Sequence, residues 1–249
     1  MTLFSDLVVI KEFYSLKRFV LLFPDTKLLF EHQRNKKILM KIEFLRNKRK
    51  EEVRVLIQGF SSDYCYDLHF FTKITEKYGT FSPQSAEALS QLLNKWTACR
   101  PSRTNKDLLP LLIDLNSDLK TISNLDLRNI RQVSLNEKEA IDRIWLKLFN
   151  RICIPKKLTG VAPSKAILIL TNGRLGPALD SKTRKTLGLQ DIVSSVQYLT
   201  ILSAVSEDIA AFENANSPIL LEELVPEEWK PVFVGRAYDM AVGPRKYFT

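Results

Sequence analysis

Residues 156–189 read KKLTGVAPSKAILILTNGRLGPALDSKTRKTLGL. Leu158 leads into a turn at Gly160, an apolar run follows, Gly176-Pro177 makes a second turn, and Asp180 stands as an isolated carboxylate. This order predicts a compact helical hairpin that feeds a loop placing a carboxylate. Ile167, Leu168 and Leu170 are its expected core. A glycine turn lets backbone N–H groups approach phosphate oxygens, and the N-terminus of the next helix adds a favourable dipole. On the plainer reading, Gly160 and Pro163 simply begin a core helix.

The charge gathers around the same stretch. Ten basic residues lie between Arg143 and Leu189 (Arg143, Lys147, Arg151, Lys156, Lys157, Lys165, Arg174, Lys182, Arg184 and Lys185), with Asp180 as their single acid. That segment carries the whole chain's net charge of +9. The forty residues from Gln190 to Trp229 hold eight acids and no Lys or Arg. If the bases share a face, they form an electrostatic footprint for a polyanion. If they scatter or meet the acidic segment, they are solvated surface and internal ion pairs. A second basic stretch, Lys27 to Arg54, reads as the polar face of an amphipathic helix.

Helical patterns fill most of the remaining chain. Leu28, Leu29, Ile38, Leu39, Ile42 and Leu45 follow a helical spacing across 26–47. Val53, Val55 and Ile57 alternate as in a short strand, although Leu56 interrupts the alternation, and Gly59 with Ser61-Ser62-Asp63 closes that element. Ser82 and Pro83 cap and start a helix with Leu89, Leu92, Leu93 and Trp96 on one face. Further helices are expected over LLPLLIDLNSDLK, NEKEAIDRIWLKLFNRIC, SKAILIL and Val193 to Phe212. Pro218, Pro226, Pro231 and Pro244 suggest a tail that wraps the surface. The expected fold is mostly α, with an N-terminal helical lobe over 1–100 and a C-terminal helical lobe over 105–249, divided at the polar stretch CRPSRTNKD.

Several function classes are disfavoured. The chain has no GxxxxGK[ST], GxGxxG or G-x-S-x-G pattern and only two histidines, His32 and His69. No metal or cofactor is therefore expected, and Cys65 with His69 reads as core rather than as a ligand pair. The apolar N-terminus is interrupted by Asp6, Lys11, Glu12, Lys17 and Arg18, leaving no membrane span and no signal layout. The three cysteines, Cys65, Cys99 and Cys153, are odd in number and widely spaced, which points to a reducing, cytoplasmic setting.

With those residues in view, 156–189 resembles the helix-hairpin-helix DNA glycosylase superfamily, whose hairpin reads LPGVGxK and is followed by a helix, an Asp and VDxHVxR. Leu158, Gly160 and Val161 match the hairpin start, Ala166 and Ile167 open the helix, and Asp180 with Arg184 match the later acid and base. Ala162 replaces the second hairpin glycine, and Pro155 interrupts the helix that should precede the turn. Ser164 stands where lysine-bearing members carry their nucleophile. Lys165 lies one position on, about 100° around the helix.

The resemblance implies DNA as a partner. The implied contacts are Lys156, Lys157, Gly160, Ser164, Arg174, Lys182, Arg184 and Lys185. It also implies Asp180 as the acid that stabilises charge on the sugar of a flipped base or activates a nucleophile, with Lys165 as candidate nucleophile. Read from the residues alone, Asp180 instead caps the helix SKTRKTLGL or pairs with Lys182 or Arg184. The stretch PSKAILILTNGRLGPALDSKTRK, with Arg236, Asp239 and Arg245 of VGRAYDMAVGPRK, is also similar to uncharacterised prokaryotic proteins, a likeness that brings no activity. The expected functions are thus nucleic-acid binding on a glycosylase-like core, base excision through Asp180, or a protein-interaction or structural module.

Overall fold

Ser82 accepts a hydrogen bond from the Ser85 backbone at 3.2 Å, and Pro83 occupies the first helical turn, where its missing N–H costs nothing. The helix starting there is one of nine α-helices among residues 41–98, 107–153 and 160–245, which the computed structural model describes. In chain order they are α1 (Lys50–Gln58), α2 (Asp67–Tyr78), α3 (Pro83–Lys95), α4 (Leu109–Thr121), α5 (Leu135–Ile152), α6 (Val161–Leu170), α7 (Ser181–Thr186), α8 (Ser195–Ala215) and α9 (Val234–Val242). There is no strand among the described residues, and the fold is mostly α as its sequence predicts.

Capping boxes fix two of the long helices. Ser134 and Glu137 exchange side chain-to-backbone bonds at the start of α5, and Ser194 with Gln197 do the same for α8. The apolar faces they orient pack α5 against α4, α6 and α8, while α3 touches α2, α4 and α6. Helices before and after residues 99–106 thus lie against one another. The lobe boundary expected at 100–105 falls outside the described residues.

Three local expectations give way to tertiary structure. The segment 53–57 is not a strand but the middle of α1, with Val53 and Ile57 fully buried four residues apart and Val55 exposed. Of the helix expected over 26–47, residues 26–40 lie outside the described residues, and 41–47 are irregular. The cause is visible at Asp208 of α8, whose buried carboxylate accepts the N–H groups of Leu45 and Arg46 at 2.9–3.1 Å. Those donors cannot then serve a helical ladder. Third, the proline-punctuated tail does not only wrap the surface, because all nine residues of α9 are buried. Arg236 and Asp239 give VGRAYDMAV an amphipathic look, yet they pair with each other inside the core.

Gly235 permits that docking. A Cβ there would stand 2.6 Å from the Gly173 carbonyl oxygen, 2.7 Å from that of Arg174 and 2.8 Å from the Gly176 nitrogen, all backbone atoms that cannot swing away. Gly235→Ala should therefore destabilise the protein by about 1–3 kcal/mol, measured by urea denaturation. An unchanged midpoint would mean that α9 does not sit against the 173–176 turn.

Candidate functional site

The sequence places Lys165 and Asp180 fifteen positions apart, and the fold brings them together. Ser164 is fully buried on α6. Its hydroxyl donates to the Val161 carbonyl and accepts the Leu179 N–H, both at 3.0 Å. That clamp holds the chain just before Asp180 against α6. Asp180 then caps α7, with one oxygen accepting the N–H groups of Lys182 and Thr183 at 2.9 Å. Its other oxygen lies 3.8 Å from Lys165 Nζ.

Lys165 is itself buried, and its ammonium donates to the Trp96 carbonyl at 2.6 Å. Burial lowers its pKa from the usual lysine range, with Asp180 and Asp239 pulling the other way. A lysine nucleophile needs a neutral amine and an open approach. The lowered pKa favours the first, whereas the second is blocked by the Trp96 carbonyl and by burial. Among the described residues, the surface cavities of about 490 and 360 Å³ are lined by neither Lys165 nor Asp180.

A second buried pair adjoins the first. Asp239 accepts the Ala178 N–H at 2.9 Å on one oxygen and Arg236 Nη1 at 2.6 Å on the other. Burial raises the Asp239 pKa, against the pull of Arg236. The Arg236 guanidinium also donates to the Tyr64 carbonyl and lies 5.0 Å from the Phe60 ring centre and 5.2 Å from that of Trp96. The sequence offers one signal for this pair, an arginine and an acid three apart within an otherwise small and apolar run.

The remaining candidates separate. Lys156, Lys157 and Leu158 lie outside the described residues, as does the rest of 154–159. Gly160 is buried beneath Trp145, where a Cβ would meet the indole at 2.6 Å, and its N–H donates to the Ile192 carbonyl. Arg174 is partly buried, with its pKa lowered by burial. Arg184 is tied to Asp191, linking the basic and acidic segments. Lys182 and Lys185, three apart on α7, are exposed.

Elsewhere in the basic segment, Arg143 and Lys147 both meet the buried Asp118 of α4, at 2.8 and 3.0 Å. The acidic segment answers other bases, with Glu213 and Glu222 closing on Arg128. Among the described residues, no group of three or more His, Cys, Asp or Glu side chains could hold a metal ion, and no helix is long and apolar enough to cross a membrane. The chain matches no known protein family, no curated protein and no solved structure.

Proposed function

We propose that this chain is a nucleic-acid-binding protein on a glycosylase-like helical core, with α7 as the centre of its contact surface. The observation that carries the reading is the disposition of charge at α7. Lys182 and Lys185 stand exposed, while Asp180, the single acid between Arg143 and Leu189, is engaged by the helix cap and faces Lys165. The repulsion that a bare carboxylate would exert on phosphate is thereby reduced, and the exposed face of α7 is positive. Contacts of this kind position nucleic acid without reading its sequence.

Salt dependence tests the reading. Affinity for a duplex oligonucleotide, followed by fluorescence anisotropy, should fall steeply as salt rises, because each neutralised phosphate releases condensed counterions. Lys182→Ala with Lys185→Ala should flatten the log–log slope by about 0.9 for each phosphate left without its lysine. Absence of binding, or binding indifferent to salt, would exclude the proposal.

The partly exposed carboxylate of Asp180 also favours a second reading, base excision, with Lys165 closed off as a nucleophile by its burial and its bond to the Trp96 carbonyl. Asp180→Asn keeps an oxygen for the helix cap and should leave DNA binding equal or tighter. Any excision should collapse in that variant if the carboxylate is catalytic. Excision that persists unchanged rules Asp180 out as the catalytic acid, and a parent that excises nothing rules the enzyme reading out.

A further inference from the structure

We infer that the nucleic-acid footprint extends from α7 onto residues 41–48, across a groove in which Lys41 and Lys48 contact the phosphate backbone. The inference rests on the proposed nucleic-acid reading and names residues that the sequence pattern assigned to the plain polar face of a helix. The groove is a cavity of about 360 Å³, walled on one side by Lys41, Phe44 and Lys48 and on the other by Thr186 and Gly188 at the end of α7. The exposed Lys185 directly precedes that second wall. Lys41 and Lys48 therefore line the groove, and Lys185, from a remote part of the chain, stands one residue beyond its other wall.

The first wall is held in place. Ile42 and Leu45 are buried, and Asp208 accepts the N–H groups of Leu45 and Arg46, so the turn carrying Lys48 is fixed to α8. Lys48 Nζ lies 5.1 Å from the Phe44 ring centre, which keeps its ammonium near the groove rather than free to sweep through solvent. Glu43 is the acid of this wall, and Lys41 at 2.7 Å and Arg46 at 3.0 Å both pair with it. Two cations on one carboxylate leave a positive balance. On the second wall, Gly188 and Leu189 donate their N–H groups to the Lys185 and Arg184 carbonyls, so the end of α7 does not present those oxygens bare to an anion. A rigid positive groove beside an exposed lysine pair suits a phosphodiester chain, which presents closely spaced charges along its length.

The test compares three variants of the full chain by anisotropy on one duplex oligonucleotide across a salt series. Circular dichroism and thermal midpoints confirm that each variant folds. Lys41→Ala with Lys48→Ala should weaken binding and flatten the log–log slope by roughly 1.8, since two phosphates keep their counterions. Lys138→Ala, an exposed position on α5, should match the parent. If the parent and the α7 variant behave as proposed above but the groove variant keeps the parent's slope, the groove inference is overturned while the nucleic-acid reading stands. Equal flattening by Lys138→Ala would show that net charge, not this groove, sets the response, and would also overturn it. A parent that binds no nucleic acid removes both.

Discussion

Arg236→Met is expected to destabilise the protein by about 3–5 kcal/mol, the usual cost of leaving a buried charge without its partner. Arg236 is 2% exposed and Asp239 4% exposed, so water cannot replace the missing guanidinium. The Tyr64 carbonyl would lose a donor in the same step. Adding Asp239→Asn should recover a substantial part of the loss, because the amide oxygen can still accept the Ala178 N–H while the uncompensated charge is gone. Denaturant titration of the two single variants and the double variant completes the cycle.

Acidity gives the cycle a second readout. In the parent, burial already raises the Asp239 pKa, with Arg236 pulling it down. Without Arg236 it must rise further. A carboxyl whose folded pKa lies above its unfolded value stabilises fully below the unfolded pKa, and that contribution is lost as pH rises through the folded pKa. The deficit of Arg236→Met should therefore shrink as pH is lowered from neutrality. A deficit independent of pH, or a double variant no better than the single, would mean that Asp239 is not held as a buried anion.

Leu168→Ala should cost about 2–5 kcal/mol. Leu168 is fully buried on α6, within a run from Ala162 to Ile169 that is buried on every side, so the surrounding side chains have little room to collapse into the space. Leu170, at the end of the helix, is only half-buried, and its replacement should cost less. Chemical denaturation of the two variants decides the matter. Equal, small effects would place α6 at the surface.

The parts of this fold that can be read in advance are those governed by local chemistry. Ser82-Pro83 announces α3, and the apolar spacings of 109–121, 135–152 and 195–215 announce α4, α5 and α8, because helix starts and amphipathic faces depend on neighbours a few positions away. The capping boxes at Ser134 and Ser194 are equally legible as Ser-x-x-Glu and Ser-x-x-Gln. What cannot be read depends on distant partners. The turn at 44–46 answers to Asp208, more than 160 positions away, and α9 hides its arginine only because Asp239, Tyr64, Phe60 and Trp96 surround it.

The site divides in the same way. Asp180 as a cap is open to sequence reading, while its approach to Lys165 needs the clamp between Ser164 and Leu179. The ten bases form one segment in sequence, yet the fold separates those among the described residues. Arg143 and Lys147 turn to Asp118, Lys165 goes inside, and Lys182 and Lys185 face solvent.

Trp96 carries a consequence for how the molecule opens. Its indole N–H donates to Asp67 of α2, its carbonyl accepts Lys165 of α6, and its ring lies against Arg236 of α9, while the residue itself closes α3. Four helices are thus fastened at one residue near the middle of the chain. None of them can peel away alone without breaking bonds that belong to the other three, so subglobal fraying at this node is suppressed and the four helices form a single cooperative unit. Lys165 is bonded at that node, and the exposure of its ammonium to water is tied to the loss of the whole unit rather than to the breathing of one helix.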